Sequence, residues 1–235
     1  MELRLATYNV HKCVGLDRRR RPERILEVIN ALSADIVALQ EVDHRIPPRP
    51  AALPPDLIAH ETDFGVLPFA PNETSLGWHG QTILVRHGLK VETVRRVLLP
   101  GLEPRGAILA ELDLPGGPFR VVGVHLALIR RYRLMQLAAI RAAIGRRGDM
   151  PTVILGDYNE WTSHGCTEVL SPGFRLHAGG PSFPAARAFG ALDRIAISEG
   201  VHLRHAGIHS DTPARVASDH LPLWADVRIG PREKA

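Results

Sequence analysis

Four apolar stretches of the chain end in a side chain that can hold a metal ion or a phosphate group. Asn9 follows Leu-Ala-Thr-Tyr, Glu41 follows Ile-Val-Ala-Leu-Gln, His125 follows Val-Val-Gly-Val, and Asp157 with Asn159 follows Val-Ile-Leu-Gly. Burying such a group uncompensated at the end of a strand costs about 1 to 3 kcal/mol. Any one of them could be a turn former, as Asp157 is in Gly-Asp-Tyr-Asn. All four together point to a shared polar site at one rim of a sheet. Two more candidates lie downstream: Asp193, which opens Asp-Arg-Ile-Ala-Ile, and Ser218-Asp219-His220. Three consecutive residues cannot line up as a Ser-His-Asp relay, and no Gly-x-Ser-x-Gly elbow occurs, so serine-hydrolase chemistry is a poor fit.

The elements that must position these residues are mostly strands. Apolar, β-branched runs predict strands at Leu3 to Val10, Ile36 to Leu39, Thr82 to Val85, Ala107 to Leu114, Arg120 to Leu126, Thr152 to Leu155, Ile195 to Ile197 and Leu221 to Ile229. In the last, Leu223, Ala225, Val227 and Ile229 alternate with polar or larger residues, the period of a sheet with one face on a core. Helical spacing appears twice. Ile25, Val28, Ile29 and Leu32 follow Pro22, and Leu134, Leu137, Ile140 and Ile144 precede Gly145 and Gly148. Strands outnumber helices and do not alternate with them, which argues against a purely parallel doubly wound sheet and for a sandwich of mixed sheets flanked by a few helices. Ile46 to Pro55 and Ser171 to Pro184 read as long loops within a single domain covering residues 1–235.

Composition narrows the class. The 235 residues are 45% hydrophobic and 23% charged, as in an ordinary globular protein, and no run approaches the length of a membrane span. Two cysteines, Cys13 and Cys166, make no disulfide framework, and the N-terminus lacks the features of a signal peptide, so a cytoplasmic location is expected. The 29 basic against 25 acidic residues give a modest charge of +4, a slight lean towards an anionic partner.

The ordered set Thr-Tyr-Asn9-Val, Leu-Gln40-Glu41-Val, Val-His125-Leu, Gly156-Asp157-Tyr-Asn159, Leu-Asp193-Arg-Ile and Ser218-Asp219-His220-Leu-Pro resembles the endonuclease/exonuclease/phosphatase superfamily. The resemblance runs from about residue 3 to residue 229. It implies an α+β fold, a four-layer α/β/β/α sandwich of two mixed sheets, and a Mg²⁺-dependent phosphoesterase site at one edge, with Mn²⁺ as the alternative ion. Carried over motif by motif, Glu41 is similar to the principal metal ligand, with Asn9 beside it and Asp219 as a further acidic residue near the metal. Asp157 and Asn159 resemble the pair that orients the attacking water and holds a phosphate oxygen. His220 would contact the phosphate and be oriented by Asp193, and His125 resembles the second histidine of the nuclease and sphingomyelinase branches.

These residue types suit the chemistry. A phosphodiester is anionic and repels hydroxide, so its hydrolysis calls for a cation, donors to the non-bridging oxygens and a base for water. Carboxylate and amide oxygens suit Mg²⁺, which keeps several of its waters. Either Asp157 or a His220–Asp193 pair could serve as the base. His11-x-Cys13 and His164-x-Cys166 offer soft ligands suited to Zn²⁺, although their spacing is not that of a structural zinc site.

Arg105 and Lys12 are expected at the substrate mouth, with His79 a further candidate there. Arg18 to Arg21 leave Asn9 in a loop, and Arg130, Arg131 and Arg133, continued by Arg141, Arg146 and Arg147, form a second basic cluster. Either could meet a nucleic acid or an anionic phospholipid. Aromatic residues are only 5% of the chain, so stacking platforms for bases are expected to be scarce. The resemblance leaves open a phospholipid- or inositol-phosphate-directed enzyme and a catalytically inactive phosphate-binding module.

Overall fold

The computed structural model describes residues 1–162 and 165–230. In chain order the elements are β1 (Glu2–Asn9), α1 (Pro22–Ala31), β2 (Ile36–Gln40), α2 (Pro55–Glu61), β3 (Phe64–Val66), β4 (Gln81–Arg86), β5 (Lys90–Leu98) and β6 (Gly106–Leu114). There follow β7 (Gly117–His125), α3 (Arg130–Gly145), β8 (Thr152–Asp157), α4 (Thr167–Leu170), β9 (Phe174–His177), β10 (Asp193–Ser198), β11 (Val201–Ile208), α5 (Ala214–Ala217) and β12 (Leu223–Ile229). The strands form two mixed sheets of six, ordered β11-β12-β1-β2-β4-β3 and β5-β6-β7-β8-β10-β9.

The two sheets face one another across an apolar core. Leu5, Ile36 and Ile83 of the first meet Ile108, Val121, Val153 and Ile195 of the second. The outer faces are covered by helices: Ile25, Leu26, Val28 and Ile29 of α1 on the first, Leu137 and Ile140 of α3 on the second. This is the expected four-layer sandwich. Burial on both faces explains why β2 and β8 read as unbroken apolar runs. In β12 the burial alternates as its sequence predicts. Pro22 occupies the first turn of α1, where its missing N–H costs nothing, and Glu23 lies at the positive end of the helix dipole.

Each sheet contains one parallel pair, β1 with β2 and β7 with β8, and all four strands end at the same rim. Four strands go beyond the predicted set: β3, β5, β9 and β11. All four are edge strands, and β9 lies inside the segment expected to be all loop. β5, β9 and β11 have faces that meet water, so their sequences mix polar and apolar residues and lose the signal, and β3, Phe-Gly-Val, is too short to carry one. Among the described residues no helix is long and apolar enough to cross a membrane.

Candidate active site

Strand ends at the shared rim carry the polar cluster. β1 delivers Asn9, β7 delivers His125, β8 delivers Asp157, and β10 starts at Asp193. Register places His125 and Asp193 on either side of Asp157 in one sheet. Gly156, at φ +153°, brings β8 so close to β7 that a Cβ would run into the Val124 carbonyl oxygen. No larger residue fits immediately before Asp157.

Asp157 is the hub. Asn9 Nδ2 donates to its Oδ2 at 3.0 Å, a hydrogen bond that ties one sheet to the other. His125 Nε2 lies 3.4 Å and His220 Nε2 3.8 Å from the same oxygen. The Asn159 backbone N–H donates to Oδ1 at 2.9 Å, and the Asn159 side chain donates to the Leu126 carbonyl at 2.9 Å. Burial pushes the Asp157 carboxyl up to about 6, with His220 opposing.

His220 is fixed from behind. Its Nδ1 donates to Asp193 Oδ2 at 2.8 Å, and Ser182 Oγ donates to that same oxygen at 2.6 Å. Burial alone would lower the imidazole's pKa, but Asp193 and Asp157 outweigh it and hold His220 well above its ordinary value. His125 is driven the other way, by burial first and then by the neighbouring cations Arg105 and His220. At neutral pH the site therefore pairs one imidazolium with one neutral imidazole.

Glu41 follows β2 in the left-handed conformation, at φ 57°. Its carboxylate contacts the Lys12 ammonium, and Arg45 lies 3.6 Å from Oε1. Asn9 Oδ1 accepts the His11 N–H at 3.1 Å, and Ser218 Oγ donates to the Asn9 carbonyl at 2.7 Å. Asp219 turns towards its neighbours Ser218, 3.3 Å, and His11, 3.9 Å. Among the described residues no three His, Cys, Asp or Glu side chains converge into a metal cage. A carboxylate that already draws two cations suits a hydrated, oxygen-seeking cation rather than one that demands a protein cage.

The zinc reading does not fit. Cys13 is buried in the layer under α1 and Cys166 in the layer under α3, and burial raises both thiols, to about 12 and about 11. His164 lies outside the described residues.

The second basic cluster is mostly committed to the fold. Arg133 is buried and donates to Glu160 at 3.0 Å and to the Ala127 and Leu128 carbonyls. Arg141 donates to the carbonyls of Val169 and Ser171, and Arg147 to Glu111. Arg105 reaches the cleft, but its guanidinium is already bonded to Glu103 at 2.8 and 3.0 Å. The loop carrying Arg18 to Arg21 is exposed.

Two features escaped sequence reasoning. Ser182 completes the Asp193–His220 line, and nothing in a lone loop serine announces that. Three aromatic residues gather beside the site. The Phe183 ring packs on His220 with centroids 4.9 Å apart, and Trp161 meets both Phe183 and Phe189 at 6.0 Å. Trp161 is 56% and Phe189 71% exposed, forming an open aromatic ledge beside the site. Gly190 lies under Trp161, where a Cβ would come within 2.8 Å of the ring. On the opposite side of the rim a cleft of about 290 Å³ runs from His125 and Glu41 past Arg45 to Arg49 and His79.

Comparison with known proteins agrees with this architecture. The Bacteroides vulgatus endonuclease/exonuclease/phosphatase superimposes with a TM-score of 0.79 at 20% identity, over 97% of this chain and 99% of that one. D. rerio TDP2 in complex with a single-strand DNA product gives 0.76 at 16% identity, over 97% and 99%. The human Nocturnin catalytic domain with bound sulfate gives 0.72 at 24% identity, over 97% and 94%. A comparison with curated proteins finds no match. The model of the Endonuclease/Exonuclease/phosphatase family matches residues 6–220, and the chain belongs to that family.

Proposed function

We propose that the chain is one domain that acts as a Mg²⁺-dependent phosphodiesterase, hydrolysing a phosphodiester bond in a nucleic acid or a related anionic substrate by in-line attack of water. The observation that carries this reading is the convergence of Asn9, His125 and His220 on Asp157 at the rim where the two sheets meet.

Glu41, with Asn9 and Asp219, would hold the ion. When bound, Mg²⁺ supplies positive charge against the phosphate and the leaving oxygen. Asp157 takes the proton of the attacking water. A carboxyl raised to about 6 is a stronger base than an ordinary one and is still ionised at neutral pH. His220, already an imidazolium, has no lone pair for that proton, so it donates to a non-bridging oxygen while Asp193 and Ser182 fix its ring. His125 and Asn159 complete the set of donors around the phosphate.

The ledge of Trp161, Phe183 and Phe189 favours a base-bearing substrate over a lipid headgroup, because exposed ring faces beside the phosphate suit stacking. The single-strand DNA product in complex with D. rerio TDP2 points the same way. A cytoplasmic location accompanies this reading, since both cysteines are buried and free.

The test is hydrolysis of bis(p-nitrophenyl) phosphate against p-nitrophenyl phosphate. Diester cleavage that needs Mg²⁺ and is lost in Glu41→Gln supports the reading. Preference for the monoester would make the protein a phosphatase. Mg²⁺ binding without turnover on a wide panel of esters would leave a binding module.

A further inference from the structure

The far end of the cleft holds a cation that touches no carboxylate among the described residues, although its charge reaches the Asp43 carboxyl through space. Arg49 Nη1 lies 3.3 Å from His79 Nδ1, and among the described residues no carboxylate pairs with Arg49. A guanidinium can only donate, so His79 Nδ1 accepts and its proton sits on Nε2, leaving a neutral ring with a free donor. Burial and Arg49 both lower the imidazole's pKa, in keeping with that tautomer.

The nearby carboxylates are spoken for. Asp43 accepts the backbone N–H groups of Leu76 at 2.7 Å and Gly77 at 3.2 Å. Glu103 is bonded to Arg105 and to the Leu128 N–H. Arg49 is also held in place. Its carbonyl accepts from Ser75 Oγ at 2.8 Å and its N–H donates to the Ile46 carbonyl at 2.9 Å. The His79 ring lies against Trp78 with centroids 4.4 Å apart. Arg49 and His79 both adopt left-handed backbone, at φ 60° and 50°, conformations that non-glycine residues hold only when their surroundings impose them.

We infer that Arg49 and His79 form a second anion subsite, which takes a phosphate neighbouring the one that is cleaved. The inference rests on the phosphodiesterase reading for the identity of the first phosphate. That second group could be the next phosphate of a nucleic-acid strand or a directly linked terminal phosphate. In either case it would receive a guanidinium and an imidazole N–H aimed into the cleft next to Glu41.

Calorimetric titration in EDTA tests this without turnover. Thymidine 3′,5′-bisphosphate is expected to bind at least about tenfold tighter than thymidine 3′- or 5′-monophosphate. Arg49→Gln should erase that advantage, Arg49→Lys should restore part of it, and His79→Gln should reduce it. A tenfold advantage of pyrophosphate over phosphate would identify a directly linked group, and its absence alongside the bisphosphate advantage would identify the next phosphate of a strand. Equal affinity for bisphosphate and monophosphates with no advantage of pyrophosphate over phosphate, or an advantage that survives in folded Arg49→Gln, would overturn the subsite. Hydrolysis of bis(p-nitrophenyl) phosphate is read separately. If it is present while the advantage is missing, only the subsite fails. If it is missing while the advantage stands, the catalytic reading fails and the subsite remains.

Discussion

His220 turns its Nε2 towards Asp157 Oδ2 at 3.8 Å while its Nδ1 donates to Asp193, so a single imidazole spans two buried carboxylates. The positive ring keeps both of them tolerable in a site almost closed to water. Asp193→Asn removes one half of that arrangement. The His220 pKa is expected to fall from about 10 towards its ordinary value, and kcat to drop on the order of 10²-fold with KM little changed. Imidazole NMR of the metal-free protein against pH reads the first effect. Because the folded-state value is raised, the associated stability is present below the ordinary histidine pKa and is lost as pH rises through the folded value.

The role given to Asp157 sets an acid limb. Activity should rise as the pH passes about 6, when the carboxyl loses its proton. Asp157→Asn should lose about 10²- to 10⁴-fold in kcat and show no such limb in the residual rate. A pH–rate profile that is unchanged in the variant would remove Asp157 as the base.

Binding to a strand should depend on the exposed loop. Replacing Arg18, Arg19 and Arg21 with Ala is expected to weaken binding to oligothymidylate. It should also flatten the plot of log affinity against log salt by about 0.7 per lost phosphate contact. Fluorescence anisotropy at several salt concentrations gives that slope. An unchanged slope would place the strand elsewhere.

Far from the site, Glu111 joins fully buried Arg120 to Arg147, at 2.9 and 2.7 Å. The Arg147 bond, against the opposing effect of burial, holds the Glu111 carboxyl down at about 2. Glu111→Gln strands a buried guanidinium and should cost about 3 to 5 kcal/mol in urea unfolding at pH 7. A depressed acid contributes above its unfolded pKa and loses that contribution as pH falls through the folded one. The gap between wild type and variant should therefore narrow from about pH 4.5 down to about 2.

The central strands and the residues at their ends are legible because burial on both faces leaves continuous apolar runs, and a polar residue at the end of such a run stands out. Asn9, His125 and Asp157 are found in this way, and each lies at the shared rim. What stays hidden depends on distant partners. β5, Lys-Val-Glu-Thr-Val-Arg-Arg-Val-Leu, has the composition of a solvated segment and becomes a strand only by pairing with β6. Arg133 looks like part of a basic surface until Glu160, 27 positions later, is folded against it. Counting aromatic residues is equally blind to their clustering. Trp161, Phe183 and Phe189 are far enough apart in sequence to look incidental, yet they share one ledge.

Pairing of His125 and Asp193 with Asp157 across three adjacent strands has a consequence for how the chain can change length. Side chains alternate between the two faces of a sheet, so adding one residue anywhere within β7, β8 or β10 would swing that strand's end group to the opposite face. Lineages of this protein should accordingly gain and lose residues in the connections while these three strands keep their lengths. An alanine inserted beside Gly88, in an open turn, should leave turnover intact, whereas one inserted between Val121 and Val122 should abolish it.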